Sequence, residues 1–221
     1  MKKMILMGSM FAFSAVAAQA EGYIGASLGR GKMSLDCEQG ASCKESANVF
    51  KLYAGTKLSE PSQLDLGIAR LDGFEVAYVR TVNNALKLRT VQQQGIVLVP
   101  SEFEGDPPVE ANGLVNVPMR QRFSVDAIVM APVLHAQLTN DLRIFVKPGL
   151  GVVTATIDTD VNGQSTRSDS SIRVKPYIAF GVDYAVAEGV KIFGSAEWLG
   201  YAVQGGSGTL RSVNMGAQVD F

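Results

Sequence analysis

From Ser212 to Phe221 the chain alternates without a break. Val213, Met215, Ala217, Val219 and Phe221 are apolar, while Ser212, Asn214, Gly216, Gln218 and Asp220 are small or polar. A strict period of two describes a strand with one face in an apolar medium and the other in a small or polar one. The stretch stops on an aromatic, Phe221, which predicts that neither a C-terminal tail nor a further domain follows.

Residues 1–20 read as a secretory signal peptide. Lys2 and Lys3 form its charged start, Met4 to Ala17 its apolar core, and Ala18-Gln19-Ala20 a small-x-small cleavage site before Glu21. A transmembrane anchor is the alternative, but the stretch is short for one and is interrupted by Gly8 and Ser9. After Ala20 no long apolar run remains to build a membrane-spanning helix. A membrane protein without such a run must be a closed barrel, since only that satisfies its backbone in lipid. Of the 20 basic residues, removing Lys2 and Lys3 leaves 18 against 21 acidic ones, a net of −3. With no basic stripe or recognition motif beside that balance, nucleic acid is not an expected partner. Cys37 and Cys43 lie in a polar stretch, and in an exported chain they are expected to form a disulfide closing one loop.

Alternating segments are expected as strands at about 22–30, 48–58, 63–72, 121–138, 142–157, 173–187, 190–203 and 209–221. Short connections, 59–62, 139–141 and 188–189, alternate with the longer 31–47, 73–120 and 158–172 and with the Gly-rich 204–208. Short periplasmic turns opposite long extracellular loops are the layout of an outer-membrane barrel with an even strand count. The fold class is therefore all-β: an eight-stranded antiparallel up-and-down transmembrane β-barrel over 21–221, with a long extracellular loop at about 73–120.

Parity assigns the faces. Ile24, Ala26 and Leu28 oppose Gly25, Ser27 and Gly29; Ile144, Val146, Leu150 and Val152 oppose Arg143, Lys147, Gly149 and Gly151. Phe180, Val182 and Tyr184 oppose Gly181 and Asp183, and Trp198 opposes Glu197 and Lys191. Charges share parity with glycines, which suits a crowded polar lumen. A soluble lipocalin-type barrel would reverse the faces. The fourth strand is irregular: Phe123, Val125, Ala127 and Val129 read as outward, whereas His135 and Gln137 share their parity, so a bulge is expected near Ile128–Pro132. Phe74–Val82 and Ala85–Gln92 are expected to form a hairpin around Asn83-Asn84. Trp198, Tyr201, Tyr184 and Phe221 are candidates for the interfacial aromatic girdles.

Leu138–Ile144, Gly181–Val186, Met215–Phe221 and Gly25–Gly29 together resemble the transmembrane domain of OmpA-type eight-stranded outer-membrane barrels. The resemblance spans nearly all of residues 21–221 except 73–120. OmpA itself continues into a peptidoglycan-binding domain, and no such role is carried over here. In that family the C-terminal pattern of Asn214, Gly216, Val219 and Phe221 is similar to the signal read by the barrel assembly machinery. The resemblance also implies an interior charge cluster on a narrow water path, matched by Asp65, Lys147 and Asp183, with Val133 and Phe193 where the family carries basic residues. Arg143, Lys191 and Glu197 point inward by parity and join that network, as do Lys51 and Lys57. The network serves either as a satisfied structural lock or as a gate; an open pore is not expected in an eight-stranded interior.

No catalytic, metal or cofactor set is expected. His135, the sole histidine, falls near the periplasmic end, away from outer-leaflet lipid chemistry. Asp158, Asp160, Asn162 and Gly163 lack the later bidentate Glu of a calcium loop, and Gly205–Gly208 reads as a turn with no helix behind it. The expected protein is a non-enzymatic monomer of the bacterial outer membrane. Its expected partners are outer-membrane lipid and lipopolysaccharide, the assembly machinery and an extracellular ligand held by its loops. A small gated, porin-like channel is the alternative.

Overall fold

Alternating sequence becomes strand throughout the computed structural model, which describes residues 21–34, 42–62, 69–82, 85–99, 109–161, 164–203 and 206–221. In chain order the strands are β1 (Gly22–Met33), β2 (Ser42–Lys44), β3 (Ser46–Ser62), β4 (Arg70–Val82), β5 (Ala85–Val99), β6 (Val109–Gln137), β7 (Leu142–Val161), β8 (Gln164–Ala187), β9 (Val190–Val203) and β10 (Gly206–Asp220). Eight of them close a ring in the order β1-β3-β4-β6-β7-β8-β9-β10, every neighbour antiparallel, with β6 sealed to β7 and β10 to β1. Closure removes the free edges that an open sheet would expose.

The seam between first and last strand is regular. Eleven pairs run from Tyr23↔Asp220 to Met33↔Leu210. Beyond them Gly22 and Phe221 exchange two backbone hydrogen bonds of 2.9 Å. The β8–β9 hairpin turns on Glu188-Gly189, where Gly189 has a φ of 71°, a region that costs residues with a Cβ.

Outward positions form an apolar belt. Leu28, Leu150, Val213, Met215 and Phe221 are 60–76 % exposed, and Ile24, Phe180, Val182, Tyr184 and Ile192 are also exposed. Such a surface on a closed ring of strands is suited to lipid. Inward positions are packed. On β1 and β3, Tyr23 lies opposite Gly55 and Gly25 opposite Tyr53. A Cβ on Gly25 would sit 2.2 Å from the Tyr53 hydroxyl, and one on Gly55 2.2 Å from the Tyr23 ring. Each glycine makes room for the ring across the ladder, which is why the inward face pairs glycine with larger groups.

Five sequence expectations need correction. Of the expected loop 73–120, residues 73–82 lie in the wall strand β4, 85–99 in β5 and 109–120 in β6; only the stretch 100–108 and Asn83-Asn84 lie outside the described residues. The third wall strand is therefore 70–82 rather than 63–72, and 63–68 lie outside the described residues. β4 and β5 do not form a hairpin. Both pair antiparallel with the 29-residue β6, Arg80 with Asp126 and Ala85 with Phe123, so they run collinearly. Between those pairs β4–β5 advances five residues to three in β6.

The expected flip in β6 is also absent. Val125, Ala127, Val129, Ala131 and Val133 are all buried inward, while Ile128 and Met130 are exposed. The register to β7 is the same on both sides of Pro132, from Met130↔Leu150 to Leu134↔Val146. The shift lies instead in β4, between Leu71 and Gly73, at Asp72. Finally, the expected loop 158–172 continues the β7–β8 ladder up to Val161↔Gln164. Past the last β8–β9 pair, Tyr177↔Leu199, one side of the ring thus rises as a sheet of β5, β6, β7 and β8, with β2 along β5.

Candidate functional site

The interior holds two charge clusters separated by rings. The central one is set by β3, β4, β7, β8 and β9, whose inward parity brings Lys51, Glu75, Lys147, Tyr177 and Glu197 together. Lys51 Nζ lies 3.3 Å from Glu75 and 3.2 Å from Glu197, and donates to the Tyr177 hydroxyl at 2.9 Å. Lys147 donates to the other Glu75 oxygen at 2.5 Å. Glu197 also accepts from Tyr177 at 3.0 Å and from Ser195 at 3.0 Å. The four charged side chains are only 2–8 % exposed. Two ammonium and two carboxylate groups balance, which is the condition for holding charge out of water.

Edge-on aromatic contacts lie against this knot. Tyr23–Tyr53, Tyr53–Phe193 and Phe145–Phe193 have ring centroids 5.7–6.3 Å apart, and Lys147 sits 4.6 Å from the Phe145 centroid. Phe145 in turn contacts His135 edge-on at 6.1 Å. Such pairs add about 0.5–1.5 kcal/mol each beyond burial.

His135 belongs to the second cluster, near the short turns. Its Nε2 lies 3.1 Å from Asp183 and its Nδ1 3.1 Å from Asp72. The Nδ1 contact has ion-pair distance but not hydrogen-bond geometry. Arg143 donates to Asp183 at 2.9 Å and stands 3.9 Å from Asp72. A cavity of about 10 Å³, room for about one water, lies among these residues, Tyr53 and Lys191. Beside it, Asp220 accepts from Lys57 at 2.8 Å and from Lys191 at 2.5 Å. On the loop side of the central knot the filling turns apolar: Met33, Val49, Val125, Val129, Val153 and Leu210 are each under 2 % or at 2 % exposure.

The structure distributes the expected network rather than gathering it. Lys147 and Glu197 are in the central knot, Asp183 and Arg143 are with His135, and Lys191 is with Asp220. Asp65 lies outside the described residues. Lys147 instead pairs with Glu75, which sequence reasoning misses because it places 73–120 in a loop. The signal was present in Gly73-Phe74-Glu75-Val76, where glycine and charge share one parity and apolar residues the other. Asp72 and Asp220 were missed as well. Val133 and Phe193 are buried, Val133 at the cavity and Phe193 among the rings.

Of the girdle candidates, Trp198, Tyr184 and Phe221 face outward, and Trp198 meets Phe180 edge-on at 5.8 Å. Tyr201 does not: it is 3 % exposed and points inward. Val219 and Phe221 of the terminal pattern are exposed, Asn214 is buried inward, and a Cβ on Gly216 would meet the Ala26 carbonyl at 2.2 Å. Cys43 lies on β2 and Cys37 outside the described residues, as do residues 1–20 and Asn162-Gly163. Asp158 accepts from Ser168 at 2.7 Å, and Asp160 pairs with Arg122 at 3.4 Å. No group of residues suited to a metal occurs among the described residues.

No curated protein matches the chain. Among solved structures it is similar to Neisserial surface protein A, at 15 % identity and a TM-score of 0.57, covering 90 % of this chain and 97 % of that one. It is also similar to Ail, the attachment invasion locus protein of Yersinia pestis, at 12 % identity and a TM-score of 0.51, covering 91 % and 99 %. Ail has also been solved in complex with the heparin analogue sucrose octasulfate, a structure similar at 12 % identity and a TM-score of 0.50. Identities this low speak for the fold. The model of the outer membrane protein beta-barrel domain matches residues 4–221. With its closed ring of eight strands and its apolar outer belt, the chain belongs to that family of bacterial outer-membrane barrels.

Proposed function

We propose that this barrel is a non-enzymatic structural and surface-interaction protein, displaying its long-connection end for contact with an extracellular ligand. The observation that carries the reading is the contrast between a filled interior and a raised wall. Lys51, Glu75, Lys147 and Glu197 lock the middle of the lumen, and Met33, Val49 and Leu210 fill it toward the loop end. Meanwhile β5 and β6 stay paired out to Val99↔Val109, ten residues of β6 beyond its last pair with β7. Function on such scaffolds belongs to what the rigid wall holds up. Among the described residues His135 has two carboxylates as partners and no hydroxyl hydrogen-bonded to it, which fits a positioning role better than catalysis. A Cys37–Cys43 disulfide is proposed for the connection after β1, and export through a cleaved signal peptide, assembly-machinery recognition at Phe221 and a monomeric state belong to the same reading.

The cavity at His135 supports a second reading, a small gated channel, in which the central knot would be the gate. One pair of measurements separates them. Deleting residues 92–116 shortens the raised ladder and leaves the ring intact. Under the first reading it abolishes adhesion of cells bearing the barrel to a surface coated with a sulfated glycan such as sucrose octasulfate conjugate, and planar bilayers holding the refolded barrel stay silent. Discrete conductance steps that change in Glu75→Gln would establish the channel instead.

A further inference from the structure

The outer face of the β1–β10 seam carries three cations where the belt ends. Lys32 lies directly opposite Arg211, and Arg30 is the next outward residue along β1, diagonal to Arg211. Opposite residues in an antiparallel ladder approach within about 5.5 Å and diagonal ones within about 8 Å, and like charges so placed repel. All three are exposed, and among the described residues none of them has an acidic partner; Glu45, close in the chain, pairs with none of them.

The surroundings show what the triplet faces. Immediately below it on the same outer face, Leu28 is 68 % and Val213 66 % exposed, the lipid-suited belt itself. Arg211 lies opposite Trp198, an outward aromatic of the kind that marks the headgroup level. Beside Arg30, an open concavity of about 330 Å³ is lined by Lys44, Ser46 and Asn48, whose hydroxyl and amide add donors to the cations. Two exposed arginines elsewhere on the outer wall are, by contrast, neutralised: Arg80 pairs with Asp126 at 3.6 Å and Arg122 with Asp160 at 3.4 Å.

We propose that Arg30, Lys32 and Arg211, with Lys44, Ser46 and Asn48 beside them, bind the phosphate groups of an outer-leaflet phosphorylated glycolipid whose acyl chains lie along Leu28 and Val213. Continuity of cation, aromatic and apolar belt on one face selects a membrane lipid over a soluble anion. A bound phosphate would relieve the Lys32–Arg211 repulsion. The proposal depends on the long connections facing outward, and not on which ligand the raised wall takes.

The test is native mass spectrometry of the full refolded barrel with lipopolysaccharide in detergent, folding being verified by heat-dependent gel mobility. Wild type is expected to retain lipopolysaccharide, and Arg30→Gln/Lys32→Gln/Arg211→Gln to retain about tenfold less, with the single Lys32→Gln variant intermediate. Dephosphorylated lipopolysaccharide should lose retention on wild type to the same extent, while Arg80→Gln/Arg122→Gln keeps it. Unchanged retention in the triple variant, equal retention of phosphatidylglycerol, or equal competition by inorganic phosphate would overturn the proposal. An epitope tag at Glu188-Gly189 reads the orientation separately: it should be hidden on intact cells, and its exposure there would also defeat the outer-leaflet assignment.

Discussion

The two interior charge clusters use the same residue chemistry in different amounts of water. In the central knot, Lys51, Glu75, Lys147 and Glu197 are sealed to 8 % exposure or less and each charge has at least one partner within 3.3 Å. Near the short turns Asp183 is as sealed, at 8 %, but its partners are not: Asp72 is 38 %, Arg143 23 % and His135 15 % exposed, around a water-sized cavity. A sealed charge must keep its partner, whereas a wetted one can trade it for solvent. The difference teaches that charges in one lumen need not form one device: the middle is a lock, and the end is a hydrated seat.

That contrast is open to attack in order of effect. Glu75→Leu strands the Lys147 ammonium, leaving Lys51 with Glu197 alone, and should cost about 3–5 kcal/mol in the unfolding of the micelle-held barrel by denaturant. The double variant Glu75→Leu/Lys147→Leu should recover part of this loss, because it removes one stranded charge; a fully additive penalty would break the idea of a coupled knot. Asp183→Asn should cost about 1–3 kcal/mol, less than Glu75→Leu, since Arg143 and His135 retain Asp72 and solvent. Should Asp183→Asn prove the more damaging, the assignment of lock and seat is reversed. As a baseline, Arg122→Gln on the outer wall, 48 % exposed, should shift stability by about 0–1 kcal/mol.

How much of this was legible in the sequence follows from what marks a face. On β1, β7, β8, β9 and β10 glycines and charges share one parity, so inward and outward residues could be read one by one. On β6 the mark fails. Val125, Ala127 and Val129 are apolar because the loop-side lumen is itself a packed apolar core, so hydrophobicity points both ways there. The missed strand β4 had a clear mark, but a competing alternation around Asp65 took its place, and with it Glu75 was lost from the charge network. The aromatic contacts and the Asp72–His135–Asp183 arrangement depend on the shear of the ring and on an irregularity at Asp72. Neither is written in a local period.

The β1–β10 seam bears on how the ring comes into being. It joins Gly22–Met33 to Leu210–Asp220, so its contacts span almost the whole described chain and are the costliest in loop entropy. Seven ladders can form between strands nearer in sequence; this one waits for both ends to meet. Until then the first and last strands are exposed templates for pairing with other chains. Something must shield those two edges during insertion, and the time they stay open sets the window in which this barrel aggregates instead of closing.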